Sequence, residues 1–130
     1  MAHYLDTSAA VKLIAHEPGT DELRRWIEWT GAELVASELV RTELMRTVRR
    51  RAPERIAAAR LLLDTVHVAD VTAADLFRAD LVEPVELRTL DAIHLAVALS
   101  LAPLDGLVTY DDRLAAAARH HGLEVVAPAA

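Results

Sequence analysis

Strand-like and helical segments alternate along the whole chain, and this alternation limits the folds that the chain can adopt. Apolar residues at three- and four-residue spacing predict helices, and short runs rich in valine and leucine predict strands. The predicted strands cover residues 3–6, 32–37, 66–71, 106–110 and 123–127, and the predicted helices cover 9–17, 21–29, 37–51, 53–64, 72–81, 89–101 and 112–121. Strands that alternate with helices predict a three-layer α/β/α fold, in which helices cover both faces of a central, mainly parallel sheet of about five strands.

The length and composition of the chain indicate one domain, residues 1–130. A hydrophobic content of 53% is enough for a single core, and no repeat or long linker divides the sequence. The absence of cysteine excludes disulfides, thiolate zinc sites and cysteine nucleophiles, and it agrees with a reducing compartment. No secretory signal is recognisable at the start, and the longest apolar stretch, 95–104, is interrupted by Ser100 and Pro103. We therefore expect a cytoplasmic protein that does not enter a membrane.

Acidic residues stand where predicted strands end, which is where open α/β sheets bind their ligands. Asp6 closes the first strand, and Asp111 follows the fourth. Because parallel strands joined by right-handed crossovers end at one edge of the sheet, we expect these two side chains to converge there. Asp91, in the first turn of the strongly apolar helix 89–101, can point to the same edge. Each acid taken alone is more simply explained as a helix cap or a first-turn charge.

A fourth acid, Glu43, lies on the apolar side of its predicted helix. At about 100° per residue it falls beside Leu39 and Val40, on the side that Leu44 continues. Taken alone, Glu43 can be explained as the partner of Arg46 on a half-exposed face. Four carboxylates from four separate segments would repel one another unless they were protonated or bridged by cations. Oxygen ligands, without cysteine or an HExxH motif, favour a hard divalent ion, Mg²⁺ or Mn²⁺, over zinc.

Charge is distributed unevenly along the chain. The formal net charge is −6, which by itself argues against a nucleic-acid partner. Residues 41–60, however, hold seven arginines and two glutamates, a local charge of +5, so the remainder of the chain carries −11. Such a run is more often a solvated helix face than a phosphate-binding track, but it gives the chain a basic segment that RNA can contact.

Four motifs together resemble a known family. They are LDTSAAVKL with Asp6, SELVRTELMR with Glu43, RTLDAIHLAVAL with Asp91, and LVTYDDRLAAAARHHGLEV with Thr109 and Asp111. Their order and spacing are similar to those of PIN-domain ribonucleases of the VapC-like toxin type, the toxin half of a type II (VapBC) toxin–antitoxin pair. The resemblance extends over essentially the whole chain.

The resemblance implies a compact three-layer fold, a homodimer, an Mg²⁺- or Mn²⁺-dependent site that cleaves RNA, and inhibition by a small cognate VapB-like antitoxin whose tail covers the site. Carried over residue by residue, the catalytic, metal-binding acids are Asp6, Glu43 and Asp91, with Asp111 in the more variable fourth position. The expected chemistry is hydrolysis of the phosphodiester by water, with no covalent nucleophile from the protein.

The same resemblance assigns supporting residues around these acids. The hydroxyls of Thr7, Ser8 and Thr109 would hold the acids by hydrogen bonds. Either member of the doublet Asp111 and Asp112 can face the site, and the Thr-x-Asp-x-x-Leu pattern favours Asp111.

Three other functions compete with the metal-dependent ribonuclease. Cleavage by general acid–base catalysis without metal would use His94, or His120 and His121. A lone histidine near Asp91 is, however, more often packed or hydrogen-bonded than catalytic. A phosphate-ester hydrolase or phosphoacceptor domain would require a second aspartate where Ser8 stands, or an active-site lysine, whereas the single lysine lies within the first helix. The remaining alternative is a non-catalytic PIN-like module that binds RNA or protein.

Two tryptophans stand three residues apart in the predicted helix 21–29. Trp26 and Trp29 can stack bases, but their spacing is more typical of a core or an interface. We expect them, together with residues 41–60, at the dimer or antitoxin contact.

Overall fold

The computed structural model of the chain describes residues 1–129 and confirms the α/β prediction. Within these residues, five strands form one sheet: β1 (Ala2–Leu5), β2 (Glu33–Ser37), β3 (His67–Ala69), β4 (Gly106–Val108) and β5 (Val125–Val126). Seven α-helices accompany it: α1 (Thr7–Ile14), α2 (Thr20–Thr30), α3 (Glu38–Arg51), α4 (Ile56–Thr65), α5 (Ala73–Ala79), α6 (Thr89–Ser100) and α7 (Asp112–His120). A 3₁₀ turn at Pro53–Arg55 precedes α4.

The strands lie in the order β3-β2-β1-β4-β5, and every neighbouring pair is parallel. The chain steps from β1 outward to β2 and β3, then crosses to β4 on the other side of β1 and continues to β5. Because crossovers between parallel strands are right-handed, these two directions of travel place α1 to α4 on one face and α5 to α7 on the other. The direction reverses between β1 and β4, and open α/β sheets bind ligands beyond the carboxyl ends of the strands at such a point.

Helix α6 occupies the interior of its layer. All five residues from His94 to Ala98 are buried, and α5 and α7 both pack against this helix. On the sheet, Tyr4 of β1 and its register partner Leu107 of β4 are also buried. This position explains why the sequence of α6 is apolar on nearly every side, since a helix with neighbours all round has few positions that face water.

Helix α1 begins at Thr7, two residues earlier than the periodicity predicts. Asp6 takes extended backbone geometry and its carboxylate accepts a hydrogen bond from the backbone N–H of Ser8, so it acts as the N-cap. The helix ends at Ile14, since Ala15 takes extended backbone geometry, and the Thr20 hydroxyl donates to the carbonyl of Lys12 and satisfies a terminal acceptor. A polar cap therefore sets the start of this helix, where apolar spacing gives no signal.

The edge strands are shorter than the sequence predicts. Strand β3 covers three residues and β5 only two, whereas valine-rich runs at both places predict longer strands. Each edge strand has one hydrogen-bonded neighbour, so its ends lack the second partner that keeps a central strand extended.

The longest helix in the described part of the chain is α3, with 14 residues. None of the helices within residues 1–129 has the length and apolar character that crossing a membrane requires.

Candidate active site

Asp6 lies at the carboxyl end of β1, beside the point where the strand order reverses. Its Oδ2 atom accepts hydrogen bonds from the Ser8 hydroxyl at 2.8 Å and from the Thr109 hydroxyl at 2.9 Å. The Asp6 side chain is only 5% exposed. A carboxylate this buried needs hydrogen-bond donors, and the two hydroxyls, from α1 and from the end of β4, supply them.

Glu43 reaches the same edge from the second turn of α3, as the helical periodicity predicts. Its Oε1 atom accepts a hydrogen bond from the Thr7 hydroxyl at 2.7 Å and another from Nε2 of His94. The same Nε2 lies 3.6 Å from Oδ1 of Asp6. The His94 imidazole therefore joins the first two acids of the site.

Asp91 and Asp111 are joined by an arginine. Asp91 stands in the first turn of α6, and Asp111 is the N-cap of α7. Nη2 of Arg88 lies 3.3 Å from Oδ2 of Asp91 and 3.4 Å from Oδ2 of Asp111. The guanidinium therefore places a positive charge between these two carboxylates.

Thr109 connects Asp6 and Asp111 through hydrogen bonds. It is fully buried, donates its hydroxyl proton to Asp6 and accepts a hydrogen bond from the backbone N–H of Asp111 at 3.1 Å. Ser8 lies beside it, with 3.3 Å between the two hydroxyl oxygens, and accepts from the backbone N–H of Tyr110. These hydroxyls fix the ends of β1 and β4 relative to each other, which is the supporting role that the sequence predicts.

Asp111 and Asp112, which follow β4, occupy different positions at the start of α7. Asp111 caps α7, with Oδ1 accepting from the backbone N–H of Leu114 at 2.9 Å, and its Oδ2 meets Arg88. Asp112 is the first residue of α7 and is exposed. Asp111 has the extended backbone geometry of an N-cap, whereas Asp112 is the first helical residue, so the two side chains have different surroundings. Asp112 therefore does not belong to the cluster that the other acids form.

A buried hydrogen-bond network extends from the site into the core. The Tyr4 hydroxyl lies 2.9 Å from Nδ1 of His94 and 2.8 Å from the Ser37 hydroxyl. With both ring nitrogens of His94 engaged, the side chain is packed and hydrogen-bonded, as the sequence predicts, and it also orients Glu43. The contributions of Tyr4 and Ser37 have no signal in the sequence motifs, because both residues lie on segments that read as ordinary core strands.

The surroundings of Asp91 and Glu43 shift the pKa values of these two acids in opposite directions. Burial raises the pKa of Asp91, the negative charges of Asp111 and Asp6 raise it further, and the charge of Arg88 opposes the rise. For Glu43, burial acts in the same direction, but hydrogen bonds from His94 and Thr7 outweigh it and hold the pKa below its ordinary value. The negative charge of Asp91 is therefore less well compensated than that of Glu43.

The acids around His94 raise the pKa of its imidazole. Burial lowers it, but the hydrogen bond to Glu43 and the charges of Asp6, Glu43 and Asp91 together raise it above the ordinary value of 6.5. A histidine with a raised pKa stabilises the fold fully below its unfolded value, and this contribution is lost as the pH rises through the folded value.

We therefore expect the free energy of unfolding of the cation-free protein to fall as the pH rises above about 6.5, by at most about 1.4 kcal/mol per pH unit from this group. The measurement is urea unfolding in chelator from about pH 6 to about pH 9. Glu43→Gln removes the carboxylate that holds the imidazolium, so its decline should be shallower than that of the wild type. Parallel declines in the two proteins would contradict the assignment.

The donor chemistry of the cluster fits a hard divalent cation, although the cluster is not arranged around one. Its acids offer carboxylate oxygens, the ligands that Mg²⁺ and Mn²⁺ prefer. Within residues 1–129, no three acid or histidine side chains surround a common point where an ion could be held. The contacts explain this arrangement, because Arg88 holds Asp91 and Asp111 while His94 and Thr7 hold Glu43. The guanidinium of Arg88 already lies between Asp91 and Asp111, so a divalent cation that binds there would take the place of this positive charge.

Comparisons with known proteins agree with this fold. The sequence profile of the PIN domain matches residues 3–126. Ribonuclease VapC46 of Mycobacterium tuberculosis is 43% identical over 128 residues, which cover 98% of both chains. These matches span nearly the whole molecule, including all four acids.

Solved structures show the same fold at lower sequence identity. VapC20 of Mycobacterium tuberculosis, described as a toxin that cleaves the sarcin–ricin loop, superposes with a TM-score of 0.76 over 98% of this chain and 100% of that chain, at 23% identity. A toxin–antitoxin complex from Klebsiella pneumoniae superposes with a TM-score of 0.71 over 88% of this chain and 90% of that chain, at 22% identity. At these identities the likeness concerns the fold.

Proposed function

The chain belongs to the PIN-domain family, with VapC ribonucleases among its relatives, and from that premise we propose that it is an Mg²⁺- or Mn²⁺-dependent endoribonuclease that hydrolyses RNA phosphodiester bonds. The observation that carries the proposal is that four carboxylates, from four separate segments, lie at the edge where the strand order reverses and are linked there through His94, Thr109 and Arg88. Asp6 and Asp111 follow the two central strands, Asp91 starts the buried helix, and Glu43 reaches in from α3. A cap, a first-turn charge or a surface ion pair can explain each acid singly, but not their approach to one another through shared hydrogen-bond partners.

Each residue has a defined part in this proposal. Asp6, Glu43, Asp91 and Asp111 hold the cation, and the buried hydroxyls that contact Asp6 and Glu43 keep those carboxylates in place. When bound, such a cation lowers the pKa of a water molecule and neutralises the charge that develops on the phosphate. In this proposal the four acids bind the cation and the hydroxyls orient the acids. None of these residues is required as a covalent nucleophile.

The basic segment offers a path for the RNA backbone. Arg46 lies one turn beyond Glu43 on α3, and Arg46, Arg49 and Arg50 are all exposed. Arg51 and Arg41, in contrast, pair with glutamates. The exposed arginines can supply phosphate contacts that the net charge of the chain does not.

The experiment that tests the function is cleavage of labelled transfer and ribosomal RNAs by the purified chain, with Mg²⁺, with Mn²⁺ or with chelator. We expect internal cleavage that requires a divalent cation and leaves 5′-phosphate and 3′-hydroxyl ends, because water is the attacking group. Cleavage that continues in chelator and gives 2′,3′-cyclic phosphate ends would overturn the metal mechanism in favour of the histidines. Binding of RNA without cleavage of any substrate would instead indicate the non-catalytic module.

The proposed partners are a VapB-like antitoxin and a second copy of the chain, in the cytoplasm. The relatives are ribonucleases named VapC, and one similar structure is a toxin–antitoxin complex. The chain also exposes large apolar side chains, among them Trp29 on α2 and Phe77 and Leu81 in and after α5. Exposed apolar groups of this size are typical of protein contacts. Trp26, in contrast, packs edge-on against His3, at 4.9 Å between ring centres, and belongs to the core margin.

A further inference from the structure

Arg88 differs from the acids that it joins in how freely it can move. Its side chain is 67% exposed, whereas those of Asp91 and Asp111 are 14% and 27% exposed. The carboxylates are held by the starts of α6 and α7, but the guanidinium reaches them from the N-cap position of α6 across solvent. Because the guanidinium is exposed to solvent, these ion pairs contribute only modest stability and exchange readily.

The atoms that Arg88 contacts are those a cation would need. Both contacts fall on Oδ2, of Asp91 and of Asp111. The other oxygen of Asp111, Oδ1, already accepts the backbone N–H of Leu114 and caps α7. Asp111 therefore has one oxygen free of structural duty, and Arg88 holds it. A divalent cation and the guanidinium cannot both lie close to that oxygen without repelling each other.

We propose that Arg88 is an exchangeable counter-ion of this site, which holds Asp91 and Asp111 in the cation-free protein and competes with the divalent cation for them. The inference rests on the proposed function only in taking the cluster to be a cation site. Arg88 stabilises the acids when no cation is present, and it is displaced towards solvent when one binds. The arginine thus sets the cation concentration at which the site fills.

The test is titration of the full chain with Mn²⁺, followed by electron paramagnetic resonance of free Mn²⁺, for the wild type, Arg88→Gln, Arg88→Lys and Arg119→Gln. Arg88→Gln should lower the Kd for Mn²⁺ about two- to fivefold, the range expected for loss of one exposed competing charge. Arg88→Lys keeps the charge and should stay near the wild type. Arg119→Gln, at the exposed far end of α7, changes the net charge equally and should leave the Kd unchanged.

Melting in chelator and in saturating Mn²⁺ supplies the second readout. Arg88→Gln should melt below the wild type in chelator, where the acids lose their counter-ion, and level with it in Mn²⁺. An unchanged or raised Kd in Arg88→Gln, or an equal fall in Arg119→Gln, would overturn the inference.

RNA cleavage is not part of this test, so the two proposals fail separately. If Arg88→Gln bound Mn²⁺ more tightly but the chain cleaved no RNA, the counter-ion role of Arg88 would be supported and the proposed ribonuclease activity would be wrong. Absence of Mn²⁺ binding by every variant would remove the counter-ion role together with the metal site.

Discussion

Substituting Asp91 by asparagine should lower the rate of RNA hydrolysis by about a thousandfold, because a ligand charge lost from a catalytic cation site removes several kcal/mol of transition-state stabilisation. Asparagine has the same size and keeps one oxygen, so the first turn of α6 is undisturbed. The measurement is single-turnover cleavage of an RNA that the wild type cuts, at saturating Mg²⁺.

The same substitution should not weaken the fold. The pKa of Asp91 is raised by burial and by Asp111, so its stabilising contribution exists only below the unfolded value and is lost as the pH rises through the folded value. At neutral pH the charged carboxylate is a net cost, and Asp91→Asn in chelator should melt about 1 to 3 °C above the wild type. A lower melting temperature would mean that lost activity reflects a damaged structure.

Asp112→Asn is the matched control for the cleavage experiment. It makes the same chemical change at the exposed neighbour of Asp111, and its cleavage rate should stay within about twofold of the wild type. A comparable loss in both variants, or near-normal cleavage by Asp91→Asn, would contradict the assignment of the acids.

Substituting Thr109 by valine should lower the cleavage rate about ten- to a hundredfold, the usual effect of removing a group that orients the ligands of a cation. Valine has the shape of threonine but no hydroxyl. Asp6 would lose a donor in a buried position, and the backbone N–H of Asp111 would lose its acceptor. Because an unpaired buried group is costly, we also expect a loss of about 1 to 3 kcal/mol in the free energy of unfolding.

Thr109→Ser separates the hydroxyl from the methyl group. Serine keeps both hydrogen bonds and loses only packing, so it should restore most of the cleavage rate while remaining somewhat less stable than the wild type. Urea unfolding and single-turnover cleavage of the three proteins give both quantities. If serine were as inactive as valine, the role of Thr109 would lie in packing instead of in orienting Asp6 and Asp111.

The fold follows from the sequence to the extent that it depends on repeating patterns. Apolar spacing defines the alternation of strands and helices, and the direction of parallel crossovers then brings residues after β1 and β4 to one edge. Helical periodicity likewise predicts that Glu43 faces inward. Periodicity does not predict a helix boundary that is set by a single polar contact. The start of α1, where Asp6 caps the helix, is such a boundary.

The contacts among the acids depend on side-chain geometry that a sequence does not contain. Arg88 stands three residues before Asp91, a spacing that allows an ion pair, but its second contact with Asp111 crosses 23 residues of chain. The approach of His94 to Glu43 crosses 51 residues, and that of Tyr4 to His94 crosses 90. Resemblance to a family supplies the acids as a set, whereas the groups that hold them have to be read from the structure.

Asp6 is at once the cap of α1 and a member of the acid cluster, and this double duty restricts how the activity can be lost by mutation. A substitution at Asp6 removes a helix cap together with a proposed cation ligand, and substitution of Asp111 does the same for α7. Asp91 caps no helix by its side chain, so its replacement should remove the proposed activity without removing a helix cap. Folded but inert descendants of this chain should therefore accumulate changes at Asp91 before changes at Asp6, and a laboratory stock of the silent protein is best prepared from that position.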